Sequence, residues 1–508
     1  MPSVGVYYHL GRGLWLVGSI LFIVAGIFQI VYFMKNITAK EKIKLFLPFL
    51  FFGYAFIALG ISSYLISTHA GLFLEFSNLS MFIYTLFSIS GLLIGLSGFL
   101  IMGRGIKEVA GTYLIIIGSY LYFYLANIYT AIPLPIKLPI DIYFLTLIIL
   151  LILIGLSASI LFYTYFAVRR FAPFAYAISL IFIILLFLTY SFERMLPTVL
   201  GFTINYEFLR WILLTFSASL ATSGSIFGRE KSKIAAVSYT FAIVYIMLIF
   251  AGYLSLAPLL SIIAQIRLLD WTITGMLAFF SAGYLSGRYT ERRDTPTLFF
   301  SIYFYGIGFT ALTVIGQEIG WLFLPALSPL FFVSLFYITL LISATALFLS
   351  SMAIVGRERI TTVTLMILSA VSTYLYLNPE IFYISIQFSL PLYNVVVPFS
   401  EIFTLILAGF LFIPLFLFAL LLMALARESL SVVHIRTISL LLGTFLYIIS
   451  LVGPYFWPYQ SPFEYPTFIL IAQVAMLPTI LRLLSMSIYV LGITGLLARL
   501  LKIGRRKT

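Results

Sequence analysis

Residues 140–170 read IDIYFLTLIILLILIGLSASILFYTYFAVRR. After Asp141 no charge interrupts the apolar run until Arg169 and Arg170 close it. A bilayer's hydrocarbon core of about 30 Å is crossed by ~20 helical residues, so this stretch is long enough to span. Its apolar positions are continuous and do not alternate, which predicts a helix and not a barrel strand. A helix also pairs its own backbone groups, which lipid cannot do for it.

The same unit recurs along the chain. Spans are expected at 14–34, 43–66, 79–102, 109–125, 140–168, 171–190, 208–227, 234–256, 268–285, 297–315, 327–353, 360–377, 398–426, 435–451 and 468–500, fifteen in all. The fold expected is therefore an all-α, polytopic integral membrane helix bundle. Of the 508 residues, 63% are hydrophobic and 9% charged, and no stretch is polar enough for a separate soluble domain. Residues 1–508 read as a single transmembrane domain. The first span is not expected to be a cleaved signal peptide: Arg12 is the sole cation before it, and no small-residue cleavage site lies near Met34.

The arginines that close 140–168 also orient the bundle. Of 29 Lys and Arg residues, 23 fall in alternate gaps, at 35–44, 104–107, 169–170, 229–233, 288–293, 357–359, 427–436 and 499–507. With their acidic neighbours those gaps carry +16 and the rest of the chain −3, which together make the net +13. Cationic loops resist translocation, so these gaps are expected to face the cytoplasm of a cell membrane. The N-terminus is then outside and the C-terminus inside, as an odd span count requires. Topology and anionic lipid headgroups account for the basic balance, and no nucleic acid partner is expected.

The cationic marker recurs at Arg104, Arg169, Arg229, Arg288, Arg357 and Arg427, spaced by 65, 60, 59, 69 and 70 residues, a pattern of tandem helical hairpins. Two spans and two loops give about this period in any polytopic chain. Gly-Arg pairs at 103–104, 228–229, 287–288, 356–357 and 504–505 are expected at helix ends, glycine taking the left-handed conformation and arginine complementing the negative helix terminus. The alternate connections differ in kind. Prolines and aromatics gather there, at 133–139, 378–398 and 454–466, which predicts a shaped outer face.

Several chemistries are excluded or disfavoured. Without cysteine there are no disulfides, thiolate metal sites or cysteine nucleophiles. The same absence, with abundant Ile, Tyr and Phe, suits a thermophile. Asp141, Asp270 and Asp294 lie far apart, unlike the clustered aspartates that hold magnesium, and no Gly-rich phosphate loop occurs. Lysines and carboxylates deep in successive spans are lacking, which argues against a proton pump.

The candidate sites are few. Arg482, four residues after Pro478 in the last span, is either the binding group for an anionic solute or headgroup, or a snorkelling or helix-paired arginine. Arg267 with Asp270, and Glu207 with Arg210, have the spacing of local ion pairs. Of three histidines, His434 is interfacial, while His9 and His69 fall on the outer side of one hairpin and could ligate one haem b. Four intrahelical histidines, as a di-haem cytochrome b needs, are absent. Glu380, Tyr383 and Glu401 sit in an outer segment rich in proline and aromatics. A carboxylate there can serve as base toward a quinol, which makes a quinone the second cofactor to consider.

The run Pro379-Glu380-Ile381-Phe382-Tyr383 resembles the Pro-Glu-aromatic-Tyr signature of the quinol-oxidising site of cytochrome b, with Ile381 inserted. Taken whole, with its missing cysteine, sparse histidines and aromatic outer loops, the chain resembles the very hydrophobic membrane subunit that accompanies a surface-exposed b-type cytochrome in thermoacidophilic archaea. That resemblance implies a membrane subunit of a quinol-linked electron-transfer complex, in hetero-oligomeric assembly with an outer-face haem protein. The competing expectations are a transporter or flippase for an apolar or lipid-linked solute, with a central cavity, Arg482 facing inward and no chromophore, and a purely structural anchor, with a flat outer docking surface and no cavity.

Overall fold

The computed structural model describes residues 4–36, 43–69, 78–101, 142–195, 198–199, 202–203, 206–228, 232–256, 262–323, 329–354, 356, 363, 367, 388–389, 396–397, 418–424, 431–456 and 476–496. The described chain is helical apart from two antiparallel bridges of two residues each, Thr198–Val199 with Phe202–Thr203 and Phe388–Ser389 with Val396–Val397. The long helices are α1 (Val4–Asn36), α2 (Ile43–His69), α3 (Asn78–Ile101), α4 (Ile142–Val168), α5 (Phe171–Met195) and α6 (Tyr206–Ile226). They continue with α7 (Lys233–Leu256), α8 (Ile262–Arg292), α9 (Thr295–Phe323), α10 (Pro329–Ile354), α11 (Ser431–Phe456) and α12 (Leu477–Thr494).

Each of these helices overlaps one expected span. Among the described residues, eight helices (α1, α2, α4, α5, α7, α8, α9 and α12) are long and apolar enough to cross a membrane. The span expected at 109–125, that at 360–377 apart from residues 363 and 367, and most of 398–426 lie outside the described residues. Burial has the sense required in lipid. On α1 the exposed residues Ile20, Ile27, Val31 and Met34 form an apolar stripe, while Ser19 and Gln29 are buried. On α4 Ile152, Leu156 and Phe166 are exposed and Ser157 is buried.

The chain packs as two compact units, residues 1–236 with 250–256, and residues 237–249 with 257–508. In the first, each helix from α1 to α6 packs on the next, and α6 returns to α1, closing a ring of six. The α1–α2 hairpin is tight because a Cβ built at Gly26 would fall 2.6 Å from the Gly53 carbonyl, and one at Gly60 2.5 Å from Ile23. Small residues that let backbones approach, and hydroxyls that bond across helices, hold bundles together where apolar burial gives no preference over lipid. Here α6 supplies the hydroxyls. Ser217 exchanges hydrogen bonds with Ser179 of α5, and Thr222 Oγ1 donates to the Leu21 carbonyl of α1 at 2.9 Å. Gln29 of α1 donates to the hydroxyls of Tyr176 and Ser225, which are themselves bonded at 2.9 Å.

In the second unit α8, α9 and α10 pack in sequence, and α12 packs on both α11 and α8. A core cluster there joins Phe300, Tyr303 and Phe304 of α9 to Tyr447 of α11 and Met486 and Tyr489 of α12.

The helix-end motif needs correction. Gly287-Arg288 lies inside α8, where Arg288 Nη2 donates to the Tyr284 hydroxyl at 3.0 Å, and does not form a turn. The turn comes later, and there an arginine takes the left-handed conformation: Arg293 has φ 55°, and Arg169, in the α4–α5 turn, φ 53°. Both donate N–H to a tyrosine carbonyl four residues back, Tyr289 and Tyr165, at 2.7 Å. Gly356, by contrast, has the left-handed φ, 76°, that the motif predicts.

Candidate functional site

Two helix faces in the second unit meet around a charge pair. On α8, Arg267, Asp270, Trp271 and Thr274 recur at helical spacing, and on α12 so do Thr479, Arg482, Ser485 and Tyr489. Arg482 Nη1 donates to Asp270 Oδ2 at 2.5 Å, with Asp270 2% and Arg482 7% exposed. Thr274 Oγ1 donates to Asp270 Oδ1 at 3.3 Å and Thr479 Oγ1 to Oδ2 at 3.4 Å. The guanidinium carbon lies 4.1 Å from the Trp271 ring centroid, a cation–π contact.

A lone charge in a membrane span costs at least ~2.5–3.5 kcal/mol, and the mutual attraction of the pair offsets much of that. Arg267, three residues before Asp270, adds positive charge that the carboxylate feels. Behind the pair stand three buried tyrosines of the core, Tyr303, Tyr447 and Tyr489. Tyr447 is within electrostatic reach of both Asp270 and Arg482. The Tyr489 hydroxyl is bonded to Thr444 Oγ1 at 2.8 Å. Ser485 Oγ donates to the Gly443 carbonyl at 2.7 Å, and Gly443 lets α12 come close to α11. Tyr303 stands beside Tyr489, the two rings edge to face at 6.4 Å, but makes no hydrogen bond of good geometry to it.

Arg482 therefore points into the bundle and is paired. The sequence reading missed its partner, since the i, i+3 rule joins Asp270 to Arg267 while the short contact comes from a residue 212 positions away. Of the other expected pair, Arg210 is buried and its Nε donates to Thr189 Oγ1 at 3.1 Å, while the Glu207 side chain lies outside the described residues.

The remaining candidates separate. His9 falls within α1, which begins at Val4 and not near residue 14, and His69 ends α2. Arg12 Nε donates to the Ser67 carbonyl at 2.8 Å, so the hairpin register brings positions 9 and 69 to the same end. Their side chains, like Glu380, Tyr383 and Glu401, lie outside the described residues. The first unit holds a small cavity lined by Trp15, Phe22, Leu59 and Phe87, which is apolar and carries no charged group.

No protein family, curated protein or solved structure matches the chain.

Proposed function

We propose that this chain is a carrier or flippase for a lipid-linked or otherwise apolar solute, working from the outer leaflet through the Asp270–Arg482 centre. The observation that carries this reading is a buried arginine in a helix long and apolar enough to cross a membrane, held by a single carboxylate from another such helix. Ionisable residues in such helices usually mark substrate paths, and a pair bridging α8 and α12 is a contact that can open and close. With the basic gaps inside, the N-terminal end of α8 faces outward, and Asp270 lies in the N-terminal third of that helix.

The orientation is testable because the chain has no cysteine. Ser232 is buried and accepts the Ala235 N–H, so the inner probe belongs at exposed Glu291. A cysteine at 291 should resist an impermeant reagent added outside, and one at 461 should react; the reverse pattern would overturn the topology.

A second reading is favoured by the shared hairpin end of His9 and His69: a membrane subunit of a quinol-linked complex, with one haem b at that end and Glu380, Tyr383 and Glu401 as its quinol site. Purification with native partners and a reduced-minus-oxidised spectrum separates the two. The carrier reading expects no haem band and no haem protein among co-purifying chains. One haem per chain together with an outer-face haem protein would replace it with the electron-transfer reading.

A further inference from the structure

The first, second, third, sixth and seventh of the expected spans are α1, α2, α3, α5 and α6. Counted from the ninth span, the same places are held by α8, α9, α10, α11 and α12. In each set the last helix packs back on the first. The sequences match as well. Residues 48–60 and 296–308 align without a gap and are identical at six of thirteen positions, with Pro48 on Pro296 and Gly60 on Gly308. Residues 90–104 and 343–357 are identical at six of fifteen, with Ser97 on Ser350 and Gly103-Arg104 on Gly356-Arg357.

An apolar composition produces chance identities, but not the same contacts at the same places. Ser97 Oγ donates to the Pro48 carbonyl at 3.2 Å, and Ser350 Oγ to the Pro296 carbonyl at 3.1 Å. A Cβ at Gly60 would fall 2.5 Å from Ile23 and one at Gly308 2.6 Å from Phe279, which aligns α1 with α8 at the shift from 23 to 279. The same shift lays Trp15 on Trp271 and Gly26 on Ala282. Those last two also meet counterparts: a Cβ at Gly53 would lie 3.0 Å from the Gly26 carbonyl, and Ser301 Oγ donates to the Ala282 carbonyl at 3.4 Å. Between the last two helices of each set, Ser217 Oγ donates to the Ser179 carbonyl at 3.0 Å and Ser485 Oγ to the Gly443 carbonyl at 2.7 Å. In return Ser179 Oγ lies 2.9 Å from the Ser217 carbonyl, and a Cβ at Gly443 would lie 3.3 Å from that of Ser485.

We infer that the chain contains two copies of one seven-span unit, expected spans 1–7 and 9–15, and that the cavity of the first is the uncharged counterpart of the Asp270–Arg482 centre. On these registers Leu14 stands for Asp270, Leu214 for Arg482 and Ile183 for Tyr447, all three buried. Trp15, Ile183 and Leu214 line the cavity. What distinguishes the second unit at this place is charge and not fold, so the work of the ion pair falls to that unit alone. The repeat does not rest on the carrier reading. It supports it, because carriers are commonly built from internal repeats.

The test grafts the second unit's pair onto the first, in the full chain: Leu14→Asp, Leu214→Arg and both together, each unfolded in mixed micelles. Either single variant buries an unpaired charge and should shift the unfolding equilibrium about 100-fold or more toward the unfolded state. The double variant should be at least about tenfold better folded than the product of the single effects, because the new charges meet as Asp270 and Arg482 do. Leu14→Asp with Leu220→Arg, whose site lies in the Phe171–Ala175 cluster, should show only the product. The inference is overturned if the grafted pair shows no coupling, if the control pair couples equally, or if the grafted double variant does not fold. A second measurement buries no charge. Ser179→Cys with Ser217→Cys, and Gly443→Cys with Ser485→Cys, should each lose both free thiols on oxidation, read by maleimide mass-tagging after denaturation. Closure in fewer than both units would refute the shared register. Lipid movement failing while the graft couples would sink the carrier reading alone.

Discussion

Asp270→Asn removes one charge from a pair whose members are 2% and 7% exposed. The asparagine can keep the contacts to Thr274 and Thr479, and Arg482 keeps its stacking on Trp271 at 4.1 Å. What is lost is the charge-assisted bond at 2.5 Å, which leaves a buried guanidinium without its counter-ion. Breaking one side of a buried pair costs about 3–5 kcal/mol, and the retained stacking puts this variant near 3 kcal/mol. Arg482→Met leaves the carboxylate with two weak threonine bonds and belongs nearer the upper value. The double variant buries no charge at these two positions and should fall within about 1–3 kcal/mol of the parent, because a pair exchanged for neutral groups is often close to neutral. The cycle then gives a coupling of about 5 kcal/mol or more. Unfolding by sodium dodecyl sulfate in mixed micelles, followed by tryptophan fluorescence, supplies the four free energies. Single variants within about 0.5 kcal/mol of the parent would mean a hydrated surface pair and would refute the reasoning.

The α1–α2 contact predicts that Gly26→Val destabilises by about 1–3 kcal/mol, since even its Cβ would meet the Gly53 carbonyl at 2.6 Å and Ile57 at 2.7 Å; a midpoint equal to the parent's in a thermal melt would contradict the packing. Gly155→Ala is the opposite case. Its Cβ meets nothing closer than Ile184 at 3.9 Å, so it should raise stability by about 0.5–1 kcal/mol, and a loss in the same melt would count against the register of α4. At the α8–α9 turn, Arg293→Gly should stabilise by about 1 kcal/mol by releasing a left-handed arginine at φ 55°, and a loss would show that its side chain matters more than its backbone.

The helices were legible because nothing else makes uncharged apolar runs of bilayer length. Their ends were less so. The run of α8 ends at residue 285 by hydropathy, yet the helix continues to Arg292, because Tyr284 and Arg288 pair along its surface and need no apolar surroundings. α6 is not among the eight apolar candidates, and its interior hydroxyls lower its hydropathy while they bond it to α1 and α5. The left-handed arginines at 169 and 293 could not be read from a rule that looks for glycine. At the candidate site, Arg482 stood out as a charge in an apolar span, but its partner did not. Local spacing assigns Asp270 to Arg267, and only the packing of α12 on α8 brings Arg482 to it. The buried tyrosines Tyr303 and Tyr447 carry no sequence signal at all, since tyrosine is common throughout this chain, with 34 copies.

The carrier account is tested most directly by lipid movement in vesicles containing the purified chain and an anionic lipid labelled with a fluorophore that dithionite destroys. Dithionite added outside should bleach nearly all of the label when the parent chain is present, because inner-leaflet lipid is brought to the outer face. With Arg482→Gln it should bleach only the outer-leaflet share, as in vesicles without protein. Bleaching by Arg482→Gln equal to the parent's, or bleaching by the parent confined to the outer leaflet, would contradict the account.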